Sequence, residues 1–131
     1  MDKLVARFAD GEVAKGCAVD FSMAEDLFHL LDGTAEVPDT SMAIHTRDLK
    51  AVFGVRDFAG NPRHIESNEF DSPEPPPGAV RVVFGDGEVL VGTSAGLAPA
   101  SPGFFLIPAD SESNNVWCYV VTAATREVCF L

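Results

Sequence analysis

Phe8-Ala9-Asp10-Gly11-Glu12-Val13 returns as Phe84-Gly85-Asp86-Gly87-Glu88-Val89, 76 residues later. The same interval lays Gly16 on Gly92, Phe28 on Phe104, Leu30 on Leu106, Thr46 on Thr122, Lys50 on Arg126 and Val52 on Val128, with no gap. A fixed period of this length marks one supersecondary unit built twice. The chain therefore divides into a first unit at 1–55, a connector at 56–79 and a second unit at 80–131.

The duplication decides what one copy alone leaves ambiguous. By propensity and period, Met23-Ala24-Glu25-Asp26-Leu27-Phe28-His29-Leu30-Leu31 reads as a turn or two of helix. Its counterpart, Pro99-Ala100-Ser101-Pro102-Gly103-Phe104-Phe105-Leu106-Ile107, carries prolines and a glycine that forbid a regular helix. If the copies share a fold, both segments are loops entering a strand, with Phe28 and Leu30 on one face.

Strand signals then give five strands per unit, an all-β chain. The first pair covers Leu4–Ala9 and Val80–Gly85, each followed by an Asp-Gly turn that supplies positive φ. The second runs from Glu12 to about Phe21 and from Glu88 to about Leu97, with Gly16 and Gly92 placed mid-strand where a sheet bends. Leu27–Leu31 and Phe104–Ile107 form the third pair, Met42–Thr46 and Trp117–Thr122 the fourth, and Ala51–Val55 and Glu127–Leu131 a short fifth. Bent five-stranded sheets of this length close into small barrels, so two tandem barrels are expected.

This order of strands, Asp-Gly turn, mid-strand glycine and apolar third strand resembles the Sm-like barrel over both copies. The run Asp48-Leu49-Lys50-Ala51-Val52-Phe53, followed by Val55-Arg56-Asp57-Phe58 and Gly60-Asn61, is similar to an uncharacterised bacterial domain of tandem Sm-like type. The first resemblance implies RNA-binding rings. At the positions that contact RNA, however, the family's asparagine before strand three is Asp26 in one copy and Pro102 in the other. Its Arg-Gly-x-Asn turn reads Arg47-Asp48-Leu49-Lys50 and Ala123-Ala124-Thr125-Arg126. An acidic side chain facing phosphate opposes RNA, and losing the glycine removes a close backbone approach.

Charge points the same way. The net charge is −11, with 4 basic against 9 acidic residues in 4–55, 2 against 5 in 56–79 and 2 against 5 in 80–131. No segment hides a basic face, so neither nucleic acid nor an anionic membrane is the expected partner. Cys17, Cys118 and Cys129 are odd in number and lack C-x-x-C spacing, which fits a reducing compartment and no disulfide framework. With no apolar leader after Met1-Asp2-Lys3-Leu4 and no long apolar span, a cytoplasmic protein that folds without a cofactor is expected.

Three places stand out as candidate sites. The stretch from Arg56 and Asp57 through Phe58, Asn61, Arg63 and His64 packs charge, an aromatic and turn residues together; it serves either as a functional loop or as a structured connection, with Arg56 and Asp57 paired locally. Arg47 and Lys50 join Arg56 and Arg63 as possible ligand contacts near the junction of the units. Trp117 and Tyr119, the only residues of their kinds, suit an interface or packing of strand four on the other unit. Downstream, Ser72-Pro73-Glu74-Pro75-Pro76-Pro77-Gly78 reads as a stiff spacer. His29, His45 and His64 share no ligand spacing, so no metal is expected; Asp10, Glu12, Asp86 and Glu88 read as turn formers, and no catalytic constellation is present.

These features favour a non-enzymatic binding or scaffold module with a protein partner, able to join further copies through strand-four and strand-five edges. A small-ligand, nucleotide-type sensor is the alternative, and RNA binding the second alternative.

Overall fold

Both Asp-Gly pairs make the turns their chemistry favours: Gly11 and Gly87 take φ of 97° and 94°, and the Asp10 and Asp86 carboxylates accept the backbone N–H of Glu12 and Glu88. In the computed structural model, which describes residues 2–18, 20–22, 25–31, 41–60, 62–94 and 102–131, ten strands follow from these turns. They are β1 Asp2–Phe8, β2 Val13–Ala18, β3 Leu27–Leu31, β4 Ser41–His45, β5 Leu49–Val55, β6 Ala79–Phe84, β7 Val89–Thr93, β8 Gly103–Pro108, β9 Asn115–Val121 and β10 Thr125–Phe130. Short 3-10 turns at Thr46–Asp48 and Thr122–Ala124 link strands four and five of each set.

The protein is all-β, and its strands form one open antiparallel sheet in the order β10-β6-β7-β8-β9-β5-β1-β2-β3-β4. Each set of five has the same internal order, with its fifth strand beside its first and its fourth at the far side. The sets join where β5 of the first pairs with β9 of the second, from Ala51 opposite Val120 to Val55 opposite Asn115. Two tandem five-stranded barrels were expected; the structure instead carries one open sheet, with a hydrogen-bonded ladder across the boundary.

Mid-strand glycines set the bend within each set. A Cβ on Gly16 would lie 2.1 Å from the Leu31 carbonyl oxygen, and one on Gly92 lies 2.1 Å from that of Ile107. Strands two and three therefore cross at van der Waals limits, and their ladders are brief: Cys17 opposite Leu31, and Gly92 and Thr93 opposite Pro108 and Ile107. The helix-like segment does contain a strand, in which Phe28 and Leu30 are buried and their neighbours face out; Met23 and Ala24 lie outside the described residues. β2 ends at Ala18, short of the expected Phe21, and β7 ends at Thr93, short of Leu97, which is also outside the described residues.

Two apolar cores lie on opposite faces of the seam, and each takes side chains from both copies. One gathers Val80, Val82, Phe84, Phe104, Leu106, Cys118 and Val120 with Val5, Ala51, Phe53 and Val55 of the first copy. The other gathers Leu4, Ala6, Phe28, Leu30, Ile44, Leu49 and Val52 with Tyr119 and Val121 of the second. All seven residues of β5 are buried, since both of its faces are covered. No helix among the described residues is long and apolar enough to cross a membrane.

Candidate functional site at the seam

Lys50 is the residue that sequence reasoning assigned to a ligand and the structure assigns to the seam. The β1–β5 register runs Arg7 opposite Ala51 and then Phe8 opposite Leu49, so Lys50 is the extra residue of a bulge. A bulge re-aims the side chain it carries. Lys50 thereby reaches the β6–β7 turn, donating to Asp86 Oδ2 and Glu88 Oε2 at 2.7 Å each, with its ammonium 4.6 Å from the centre of the Phe84 ring. Asp86 and Glu88 thus do more than form a turn: they clamp the first copy to the second.

Titration follows from that geometry. Burial opposes the charge on Lys50, but the bonds and charges of Asp86 and Glu88 outweigh it and raise the ammonium above its ordinary 10.5. The Lys50 hydrogen bond holds Asp86 below 3.8, helped by the Glu88 backbone N–H. A lowered carboxyl contributes stability that is complete above its unfolded value and is lost as pH falls through the folded one. Lys50→Met is therefore expected to flatten the acid limb of a melting-temperature profile below about pH 4, as measured by thermal melts across that range. An unchanged acid limb would show the clamp to be energetically idle.

On the other face of the seam, aromatic side chains from both copies converge. Phe21 stacks on Trp117 with ring centres 5.8 Å apart and meets Phe28 and Tyr119 edge-on, while Phe105 packs on Trp117 and Tyr119. Trp117 lies over Gly54, where a Cβ would come within 2.2 Å of its ring. Tyr119 is buried, and that burial raises its phenol above the ordinary value. Both residues therefore pack strand four on the other unit. At the end of this cluster a cleft of about 410 Å³ opens, lined by Asp26, Thr46 and Arg47 of one copy and Pro102, Tyr119 and Thr122 of the other. Thr46 and Thr122 donate their backbone N–H groups to the Asp26 and Pro102 carbonyls, so the two halves of the rim are built alike.

The connector is anchored on the β8–β9 loop. Arg56 donates through Nε and Nη2 to the Ser113 and Ser111 carbonyls rather than pairing locally with Asp57. Asn114 and Asp57 exchange two hydrogen bonds, Asp57 N–H to Asn114 Oδ1 at 3.0 Å and Asn114 Nδ2 to the Asp57 carbonyl at 2.8 Å. Phe58 packs on the core of the second copy. His64 meets Asp110, with 2.7 Å between Nε2 and Oδ2. Asn61 lies outside the described residues, and Arg63 is interaction-bearing, not free. Among the described residues of that set, Arg47 lines the cleft, while Lys50, Arg56, Asp57 and His64 make hydrogen bonds that tie the copies and the connector together. Sequence reasoning missed Asp110, Ser113 and Asn114, which the fold brings to the connector. Cys118 is fully buried, which pushes its thiol far above the ordinary range, so it packs as a small hydrophobe.

Residues 1–131 match the model of a family described as a family of unknown function, DUF6982. No curated protein and no solved structure matches the chain.

Proposed function

We propose, for a chain that belongs to DUF6982, a non-enzymatic scaffold role: two Sm-like units held side by side, whose outer edges join further copies head to tail. The observation that carries this reading is the β5–β9 seam, because among the described residues its two halves recur at the ends of the sheet with one neighbour each. β10 corresponds to β5 and β4 to β9 in the 76-residue interval. Open strand edges are templates for further pairing unless they are covered.

Charge supports the same reading. Arg126 corresponds to Lys50, and it too is the extra residue of a bulge, since Thr125 stands opposite Phe84 and Glu127 opposite Val83. The partners of Lys50, Asp86 and Glu88, correspond to Asp10 and Glu12. Setting β10 of one chain beside β4 of the next would bring Arg126 to Asp10 and Glu12 and repeat the clamp with its charges intact. Met42, Phe130 and Leu131, all more than half exposed, would be covered.

Sedimentation velocity over a range of concentrations tests this. Concentration-dependent association is expected, lost in Arg126→Glu and regained when Arg126→Glu is mixed with Asp10→Lys/Glu12→Lys. A strict monomer whose β4 and β10 amides are already protected from hydrogen exchange would sink the proposal.

The cleft favours one further reading, a small anionic ligand of nucleotide type held by Arg47 above Tyr119. Ligand binding raises stability by mass action, so a nucleotide panel that leaves the melting temperature unmoved at millimolar ligand disposes of it. Asp26 on the rim weighs against RNA there, and absence of binding to A/U-rich oligomers at low salt is the expected result.

A further inference from the structure

The connector and the β8–β9 loop bring three metal-ligating side chains together outside the seam. His64, Glu66 and Asp110 place one ligand atom each within 4.8 Å of one another. His64 and Glu66 are two residues apart on the connector, and Asp110 opens the loop that follows β8. We propose that these three side chains bind a divalent transition-metal ion of the zinc type, with a fourth position left open.

The ligands are oriented by bonds that leave lone pairs free. Asp110 Oδ1 accepts the Glu112 N–H at 2.9 Å, and Oδ2 accepts the Ser67 N–H at 3.0 Å while facing His64. Glu66 accepts the hydroxyl of Ser113, which is itself almost fully buried and accepts the Asn115 N–H. Partners of this kind fix ligand orientation in metal sites. Two carboxylates facing one imidazole also repel each other, and a dication would relieve that repulsion.

The donor set selects the ion. One imidazole nitrogen with two carboxylates suits zinc, whose bonds run about 2.0–2.2 Å, whereas calcium and magnesium take all-oxygen sets. Only a small opening of the His64–Asp110 contact is needed to seat an ion between them. The duplication did not supply this site, because the counterpart of Asp110 in the first copy is Thr34 and the connector occurs once.

The test uses the full chain in a Cys17→Ser/Cys129→Ser background, which removes the two accessible thiols. Calorimetric titration of the chelator-treated protein with Zn2+ is expected to give one saturable site, a raised melting temperature and no response to Ca2+. Co2+ is expected to give visible d–d bands without thiolate charge transfer. His64→Ala and Asp110→Asn should each weaken binding at least tenfold. Should either fail to fold, Glu66→Gln, which changes an exposed side chain, carries the same expectation. Acidification should weaken binding, since protons compete for the imidazole. No saturable binding at 100 µM Zn2+, or affinity unchanged in Glu66→Gln and His64→Ala, would overturn the proposal and leave the cluster as a hydrogen-bonded anchor.

Discussion

Gly92→Ala is expected to destabilise the protein by about 3 kcal/mol, lowering the melting temperature by roughly 10 °C. The added methyl would sit 2.1 Å from the Ile107 carbonyl oxygen and 2.6 Å from Leu106 Cδ2. The carbonyl is backbone and is held in the β7–β8 ladder, so it has no rotamer by which to withdraw. Relief therefore requires parting two strands whose contact is only two residue pairs long. Gly87→Ala makes the internal comparison: its φ is 94°, but a Cβ there meets nothing within 4 Å. That variant carries the strain of a left-handed alanine alone, about 1 kcal/mol. Thermal or denaturant melts of the two variants should rank them clearly, with Gly16→Ala matching Gly92→Ala. Equal losses at Gly92 and Gly87 would mean that the close crossing does not create the bend.

That pair of glycines also marks how far the sequence could be read. Asp-Gly turns, mid-strand glycines and the strand at Leu27–Leu31 depend on local chemistry repeated twice, and repetition cancels the ambiguity of either copy. The match between Lys50 and Arg126 was visible in the same way. What the residues do not encode locally is the neighbour of an edge strand. β5 reads as a short strand of mixed small and large apolar residues, and nothing in Leu49–Val55 names β9 as its partner. The role of Lys50 across the seam was hidden for the same reason. A lysine on a strand looks solvent-facing until a bulge re-aims it and a second copy supplies the carboxylates. His64 likewise has no ligand spacing along the chain, because its companion Asp110 is 46 residues away and approaches only when the connector docks.

Cutting the chain in the spacer after Ser72 is expected to give two fragments that do not fold cooperatively alone but regain the native sheet when mixed. The sequence divides cleanly there, between two complete repeats, yet the cores do not. Without the second copy, the first exposes Ala51, Phe53 and Val55 along one face of β5 and loses Tyr119 and Val121 from the core it keeps. Without the first copy, the second loses those same β5 side chains together with Val5. It also uncovers Trp117 and Tyr119. Domains of roughly 60 residues are marginal even with an intact core, and uncovering an aromatic or aliphatic side chain costs about 1.5–3 kcal/mol each. Several such losses exceed the few kcal/mol by which so small a core is stable. Circular dichroism and amide NMR of each fragment, then of an equimolar mixture, read the outcome directly. Each fragment should lack a cooperative melt, and the mixture should recover one through the β5–β9 ladder and the Lys50 clamp. A fragment that melts cooperatively by itself would show that the units are independent and that the shared cores contribute little.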